Sequence, residues 1–191
     1  MRLLMIAPPG AGKGTQAARI AQHFHLDHIA SGNLLREAVR AGTDLGQRAE
    51  RYLDEGELVP DDLVLAIVSD RVKRANPAGF ILDGFPRTVE QARAADRLFA
   101  ESGGPVDAVI CLDVDRDESV RRLLARAGQE RRSDDQEPTI RHRLAVFDTM
   151  TKPLLQYYGD RGLVMAIDGE RPIDTVTEEI LDQLTTRTSK R

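Results

Sequence analysis

The feature that most restricts the fold of this chain is a glycine-rich turn between a short apolar run and an amphipathic stretch. Residues 3–7 have the pattern of a buried strand, residues 8–15 carry three glycines and a lysine, and residues 16–23 have a helical pattern. Such a turn cradles phosphate, because exposed backbone N–H groups and the helix dipole both favour an anion. The sequence therefore predicts an α/β nucleotide-binding fold with its site at the carboxyl end of the first strand.

Six consecutive residues of this turn are predicted to contact the phosphates of a nucleotide: Gly10, Ala11, Gly12, Lys13, Gly14 and Thr15. The glycines let the backbone approach the ligand, and Lys13 supplies a positive charge near the β- and γ-phosphates. Two positions depart from the common pattern, since Ala7 replaces a glycine and Gly14 replaces a hydroxyl residue. We expect Ala7 to end the strand, where its methyl group is harmless, while direct Mg²⁺ ligation by Thr15 stays open.

The rest of the chain alternates short apolar runs with longer amphipathic stretches. Further strands are predicted at four places: residues 28–30, 79–82, 108–114 and 163–167. One predicted helix follows Asp61, another ends at Gly128, and a long one contains Pro153 as a kink. Strands that alternate with helices imply right-handed crossovers and a doubly wound parallel sheet.

Composition excludes several classes of function. The net charge of −4 does not favour binding to nucleic acid or to anionic lipid. No stretch approaches the roughly 20 apolar residues of a membrane span, so we expect a cytoplasmic protein that contacts neither membrane nor nucleic acid. Cys111 is the one cysteine and lies in an apolar run, which indicates a buried small side chain.

A second motif follows the strand at residues 79–82. Asp83 stands at its carboxyl end, where a carboxylate beside the phosphate loop suits Mg²⁺ held directly or through water. Arg87 lies just beyond, where a planar guanidinium can hold a phosphate with two hydrogen bonds. On the helix near residue 140, Arg143 lies at the edge of the apolar stripe, whereas Arg141 points toward solvent.

The phosphate loop combined with residues 83–87 resembles the adenylate kinase family of nucleoside monophosphate kinases. The resemblance covers nearly the whole chain and implies a three-layer parallel-sheet P-loop fold. It implies ATP contacts by Arg126 and Arg171 in addition to the phosphate loop. It implies AMP contacts by Ser31, Arg36, Glu57, Leu58, Val59, Gly84, Phe85, Pro86, Arg87, Gln91, Arg132 and Arg143. Gln91 is the residue implied to recognise adenine.

The resemblance also divides the single domain into parts. A core over residues 1–29, 60–126 and 138–191 would carry an AMP-binding flap over residues 30–59 and a short lid over residues 127–137. The lid contains no cysteine pair, so we expect no structural zinc. We expect a monomer, the default for this family.

These parts imply reversible phosphoryl transfer from Mg-ATP to AMP, which yields two ADP and serves adenine nucleotide homeostasis. The AMP phosphate is already anionic, so positioning and charge neutralisation suffice. The residues implied to supply the neutralising positive charge are Lys13, Arg87, Arg126, Arg132 and Arg143. Three alternatives stay open: a UMP/CMP-type kinase, an ATP-binding regulatory protein, and a nucleic-acid-dependent ATPase. Gln91 argues against the first alternative, the dispersed arginines against the second, and the absence of a basic face against the third.

Overall fold

A five-stranded parallel sheet forms the centre of the molecule, in a computed structural model that describes residues 1–130, 134 and 136–188. The strands are β1 Arg2–Ile6, β2 Asp27–Ala30, β3 Phe80–Asp83, β4 Ala108–Asp113 and β5 Val164–Asp168. They lie in the order β2-β3-β1-β4-β5. All pairs are parallel, so every strand delivers its carboxyl end to one edge. The five predicted strands and the parallel sheet are confirmed.

The helices are α1 Lys13–Phe24, α2 Ser31–Arg40, α3 Asp44–Glu55, α4 Asp61–Lys73, α5 Val89–Glu101, α6 Arg116–Glu130, α7 Glu137–Val146, α8 Pro153–Gly159 and α9 Ile173–Thr188. They cover both faces of the sheet. Alternate residues of β1 pack on opposite faces of the sheet, because successive strand side chains point in opposite directions. Leu3 and Met5 pack in the core that includes residues of α1 and α9, whereas Leu4 and Ile6 pack in the core that includes residues of α4 and α5. Three layers result, as predicted.

One predicted helix end is wrong, and one predicted long helix is divided into segments. The helix expected to end at Gly128 continues to Glu130, because one glycine costs a helix only about 1 kcal/mol. The single long helix with a kink at Pro153 is a chain of three segments. Helix α7 ends at Val146, a π-helical turn occupies Phe147–Thr151, and Pro153 begins α8.

The sheet edge that collects the strand ends also collects the predicted site. Ile6 runs into the phosphate loop, Ala30 runs into α2, and Asp83 runs into the turn before α5. Cys111 is buried in the sheet, as predicted, and burial raises the pKa of its thiol to about 11. Among the described residues, no helix is both long and apolar enough to cross a bilayer.

Candidate active site

The phosphate loop takes its shape from two glycines with left-handed backbone conformations. Gly10 has a φ of 85° and Gly12, the N-cap of α1, has a φ of 86°. At Gly10 a methyl group would lie 2.6 Å from the backbone oxygen of Ser119, so the loop approaches α6 more closely than any side chain permits. Ala7 lies one residue past the strand, is buried, and does not have a positive φ. Its methyl group therefore imposes no left-handed strain.

Lys13 lies at the start of α1 and folds back across the loop. Its Nζ donates hydrogen bonds of 2.8 Å to the carbonyl oxygens of Ala7 and Pro8. Burial lowers the pKa of Lys13 to about 7, the positive charges of Arg87 and other arginines contribute, and Asp83 opposes the shift. The ammonium group is thus held where a charged lysine is poorly solvated, and where an incoming phosphate would restore its charge.

Asp83 faces the first turn of α1 from the end of β3. Its Oδ2 lies 3.6 Å from the point where a side chain at Gly14 would begin. Burial would raise the pKa of this carboxyl, but His28 and Lys13 bring it below its usual value. The Nε2 of His28 lies 3.6 Å from Asp83 Oδ2, which is longer than a hydrogen bond, and this buried nitrogen has no hydrogen-bond partner. An ionised carboxylate at this position is the hard oxygen ligand that Mg²⁺ prefers.

One cleft of about 520 Å³ gathers cations from several elements. Arg87 comes from the β3–α5 turn, Arg126 from α6 and Arg143 from α7, and Lys13 lies among them. The guanidinium of Arg87 donates from Nε to the carbonyl oxygen of Gly84 at 2.8 Å. Burial lowers the pKa of Arg87 to about 10, and the charge of Arg143 adds to the effect. The cleft therefore concentrates positive charge at the strand ends, as a polyanion site requires.

The end of α3 meets α7 at one side of this cleft. Gly56 packs so closely that a side chain there would begin 2.7 Å from Cγ of Arg143. Beside it, His142 Nε2 lies 2.8 Å from Glu57 Oε1. Arg143 in turn pairs with Asp134 at 2.7 Å, and both side chains are largely buried. Arg141 is exposed and pairs with Glu137, so the predicted contrast between Arg141 and Arg143 is confirmed.

Gln91 is buried at the start of α5, in a smaller cavity that lies between α2, the end of α3 and the β3–α5 turn. The hydroxyl of Thr88, the N-cap residue, accepts a hydrogen bond from Gln91 N. The side-chain Oε1 accepts from Arg87 N at 2.7 Å, and Nε2 donates to Asp61 Oδ1 at 2.6 Å. The spacing of Thr88 and Gln91 is that of a capping box, a signal for the Thr88 bond that the sequence reasoning did not use, although Gln91 Oε1 accepts from the residue before the N-cap.

The structure brings most predicted site residues together. The large cleft is lined by Gly10, Gly12, Lys13, Gly14, Thr15, Arg36, Leu58, Asp83, Gly84, Pro86, Arg87, Arg126 and Arg143. The smaller cavity adds Ser31, Glu57, Val59 and Gln91. Ala11 and Phe85 are buried and are not among the lining residues of either cavity. Arg171 is not among the lining residues and pairs with Glu179 and Asp168, and Arg132 lies outside the described residues.

Sequence reasoning missed Arg122, which also lines the cleft. It donates from Nε to Glu118 Oε1 at 2.6 Å and from a terminal nitrogen to the carbonyl oxygen of Gly169 at 3.0 Å. Arg122 stands four residues before Arg126 on α6, and residues four apart share a helix face. That spacing was the available signal.

A phosphate loop at a strand end, a carboxylate on the neighbouring strand and a cleft of convergent cations together define a P-loop phosphotransferase. Comparison with known proteins is consistent with this class. Residues 5–163 match the family described as adenylate kinase. An adenylate kinase of Kocuria rhizophila is 47% identical over 184 residues, 96% of this chain and 98% of that protein. One from Thermobifida fusca is 45% identical over 188 residues, 98% of this chain and 100% of that protein.

A third relative, an adenylate kinase of Leptospira biflexa, is 46% identical over 184 residues, 96% of this chain and 99% of that protein. The chain belongs to the adenylate kinase family. The family resemblance and the fold class predicted from the sequence are thereby confirmed.

Proposed function

We propose that this protein transfers the terminal phosphoryl group of Mg-ATP to AMP, reversibly, to give two ADP. The observation that carries the proposal is the convergence of Lys13, Arg87 and Arg143 on one cleft at the strand ends. Both arginine charges lower the pKa of Lys13, so the three cations act on the same volume. Binding ATP alone needs no such ring of charge, whereas holding two polyanions in line does.

The phosphate loop is the ATP side of the proposed reaction. Backbone N–H groups at the start of α1 bind the phosphates, and Lys13 exchanges its bonds to Ala7 and Pro8 for phosphate oxygens. Arg126 neutralises charge on the transferring group, together with Arg132 by family resemblance. The resemblance also assigns Arg171 to the ATP side.

The flap side of the cleft is proposed to bind AMP. Arg36 and Arg87 anchor its phosphate, and Arg143 bridges toward the transferring group. The base occupies the smaller cavity, whose walls include Leu35, Val59 and Val64, and faces Gln91.

The residues at the end of β3 fit the Mg²⁺ ion that the family uses with ATP. The carboxylate of Asp83 is ionised, faces the phosphate loop, and would hold the ion directly or through water. When bound there, Mg²⁺ would neutralise negative charge on the ATP phosphates. The positive charges of Lys13 and Arg87 support the ionised state of Asp83.

We infer that residues 30–59 act as a flap and residues 127–137 as a short lid, and that their closure excludes water from the reaction. The contact between Glu57 of the flap and His142 of α7 supports a flap that rests on the core beside the site. Without closure, ATP would be hydrolysed instead of transferred.

The test is a panel of AMP, GMP, CMP and UMP, each presented with ATP and Mg²⁺ while diphosphate formation is followed. We expect a strong preference for AMP, and a chelator should abolish activity. Preference for CMP or UMP would reject the substrate, and ATP binding without phosphorylation of any monophosphate would reject the enzyme. The relatives give no support to either alternative, since those compared above are named adenylate kinases.

Oligomeric state, cellular location and zinc content remain predictions. Light scattering should show a monomer, and cell fractionation should recover the protein with the cytoplasm. Elemental analysis should find no stoichiometric zinc, and a chelator should leave the melting temperature unchanged in the absence of nucleotide.

A further inference from the structure

The side chain of Gln91 is held by two groups of opposite and fixed hydrogen-bonding character. A backbone N–H can only donate, so Arg87 N requires the oxygen of the amide on its side. An ionised carboxylate can only accept, so Asp61 requires the amide nitrogen on its side. Rotating the amide by 180° would set donor against donor and acceptor against acceptor at distances of 2.7 Å and 2.6 Å.

We propose that Asp61 is a specificity-determining residue, which together with Arg87 N locks the Gln91 amide in the one orientation that accepts a 6-aminopurine and rejects a 6-oxopurine. The inference rests on the proposed function and deepens it. Asp61 acts through Gln91 and is therefore a positioning residue.

After these two bonds the amide keeps one N–H and one oxygen lone pair for a ligand. Adenine offers a matching pair along one edge, since its 6-amino group donates and its N1 accepts. Hypoxanthine and guanine present the reverse, an oxygen that accepts and an N1–H that donates. A free glutamine would serve either base by turning over, but a locked one leaves two buried clashes with the 6-oxopurine.

The location of the lock favours a role in recognition over a role in folding alone. Gln91 is 3% exposed and lines the cavity beside Arg87. Among the described residues that line this cavity, it carries the only side-chain amide. Asp61 itself is an exposed residue at the start of α4, so its replacement leaves the core intact. Its charge reaches the site through one hydrogen bond to Gln91.

The experiment compares AMP with IMP, because these two nucleotides differ only at the edge in question. Asp61→Asn is the test variant, since asparagine can accept from Gln91 or donate to it and so removes the lock with little change in volume. Asp62→Asn is the matched control. Asp62 occupies the same first turn of α4, carries the same charge, and pairs with Arg48 at 3.3 Å.

In the wild type we expect kcat/KM for AMP to exceed that for IMP by at least about a hundredfold, as two mismatched buried pairs imply. Asp61→Asn should lower this AMP-to-IMP ratio by roughly five- to tenfold, the effect of losing one charge-assisted bond. KM for ATP and the melting temperature should not change. Asp62→Asn should keep the wild-type ratio.

An unchanged ratio in Asp61→Asn, or an equal fall in both variants, would overturn the lock. A wild type that accepts AMP and IMP equally would also overturn it while leaving the proposed phosphotransferase intact. A wild type that phosphorylates no monophosphate would reject the proposed function itself, and the lock with it.

Discussion

The two sides of the cleft, as proposed for ATP and AMP, differ in the groups that would bind phosphate. On the side proposed for ATP the donors would be backbone N–H groups, fixed by the left-handed glycines at 10 and 12 and by the start of α1. On the side proposed for AMP the donors would be arginine side chains, which depend on other residues for their orientation. Arg36 donates to Asn33 Oδ1 at 2.9 Å, and Arg87 donates to the carbonyl oxygen of Gly84 at 2.8 Å.

This difference determines how each side responds to change. A backbone cradle fails when the chain path changes, and side-chain identity matters there mainly at Lys13. An arginine cluster fails when one planar group or its partner is replaced, even though the chain path is kept. Substitutions on the two sides should therefore separate effects on ATP from effects on AMP.

The largest effect is expected on the ATP side, from Lys13→Ala. Loss of the only side-chain charge in the loop should lower kcat by roughly 10²- to 10³-fold, because that charge acts on the transferring phosphates. The melting temperature should not fall, since a poorly solvated ammonium group is removed. Steady-state kinetics and thermal unfolding check both, and near-normal turnover would remove Lys13 from the site.

On the AMP side, Arg87→Lys should lower kcat/KM for AMP by roughly 10- to 100-fold and leave KM for ATP unchanged. A lysine cannot bond to the carbonyl oxygen of Gly84 and also present two parallel donors to a phosphate. Arg141→Lys is the control, because Arg141 is exposed on α7 and pairs with Glu137. Equal effects on both nucleotides would contradict the division of the cleft.

The backbone cradle can be tested with two alanines in equivalent conformations. Gly10→Ala and Gly12→Ala both place a side chain at positive φ, which costs about 1–2 kcal/mol. At Gly10 the methyl group also meets Ser119 O at 2.6 Å, whereas Gly12 has open space. Urea unfolding should show that Gly10→Ala loses about 1–3 kcal/mol more unfolding free energy than Gly12→Ala. Equal losses in the two variants would contradict the close approach of the loop to α6.

Proton uptake should accompany ATP binding. With a pKa of about 7, Lys13 is mostly neutral at pH 8 in the free protein, and bound phosphate raises that pKa, so binding takes up a proton. At pH 6 the lysine is already charged and uptake should vanish. Calorimetry in two buffers of different ionisation enthalpy measures this, and Lys13→Met, which cannot titrate, should show no uptake at either pH.

The smallest effect is expected from Ala7→Gly. Ala7 is 4% exposed and packs in the core that contains Ala11, and its φ is not positive. The glycine should cost about 1 kcal/mol of unfolding free energy through backbone entropy and lost packing. KM for ATP should stay within a few-fold of the wild type, and a large gain in ATP affinity would show that the methyl group strains the loop.

The same division explains how much could be predicted from the sequence. The phosphate loop and all five strands are local patterns, and each appears within about two residues of its predicted place. Arg87 and Asp83 follow because they sit beside a strand end. The Asp61–Gln91 and Glu57–His142 contacts join residues 30 and 85 positions apart, and no local pattern encodes such pairs. Arg122 was within reach through its spacing from Arg126.

The π-helical turn at Phe147–Thr151 has a consequence for the helical phase of this chain. Lys152 N donates to Phe147 O, five residues back, so the turn holds one residue more than an α-helical turn and shifts later side chains by about 100°. If residues 143–154 formed one uninterrupted α-helix, the side chains of Arg143 and Leu154 would project in directions only about 20° apart.

The shift lets Arg143 line the cleft while Leu154 and Tyr158 pack in the large core over the sheet. Ile140 and Leu144, before the turn, pack against α6 instead. Deleting one residue within Phe147–Thr151 would turn the π-helical turn into an α-helical one. Arg143 and Leu154 would then project from the same side of the helix, so Arg143 could not line the cleft while Leu154 packs in the core.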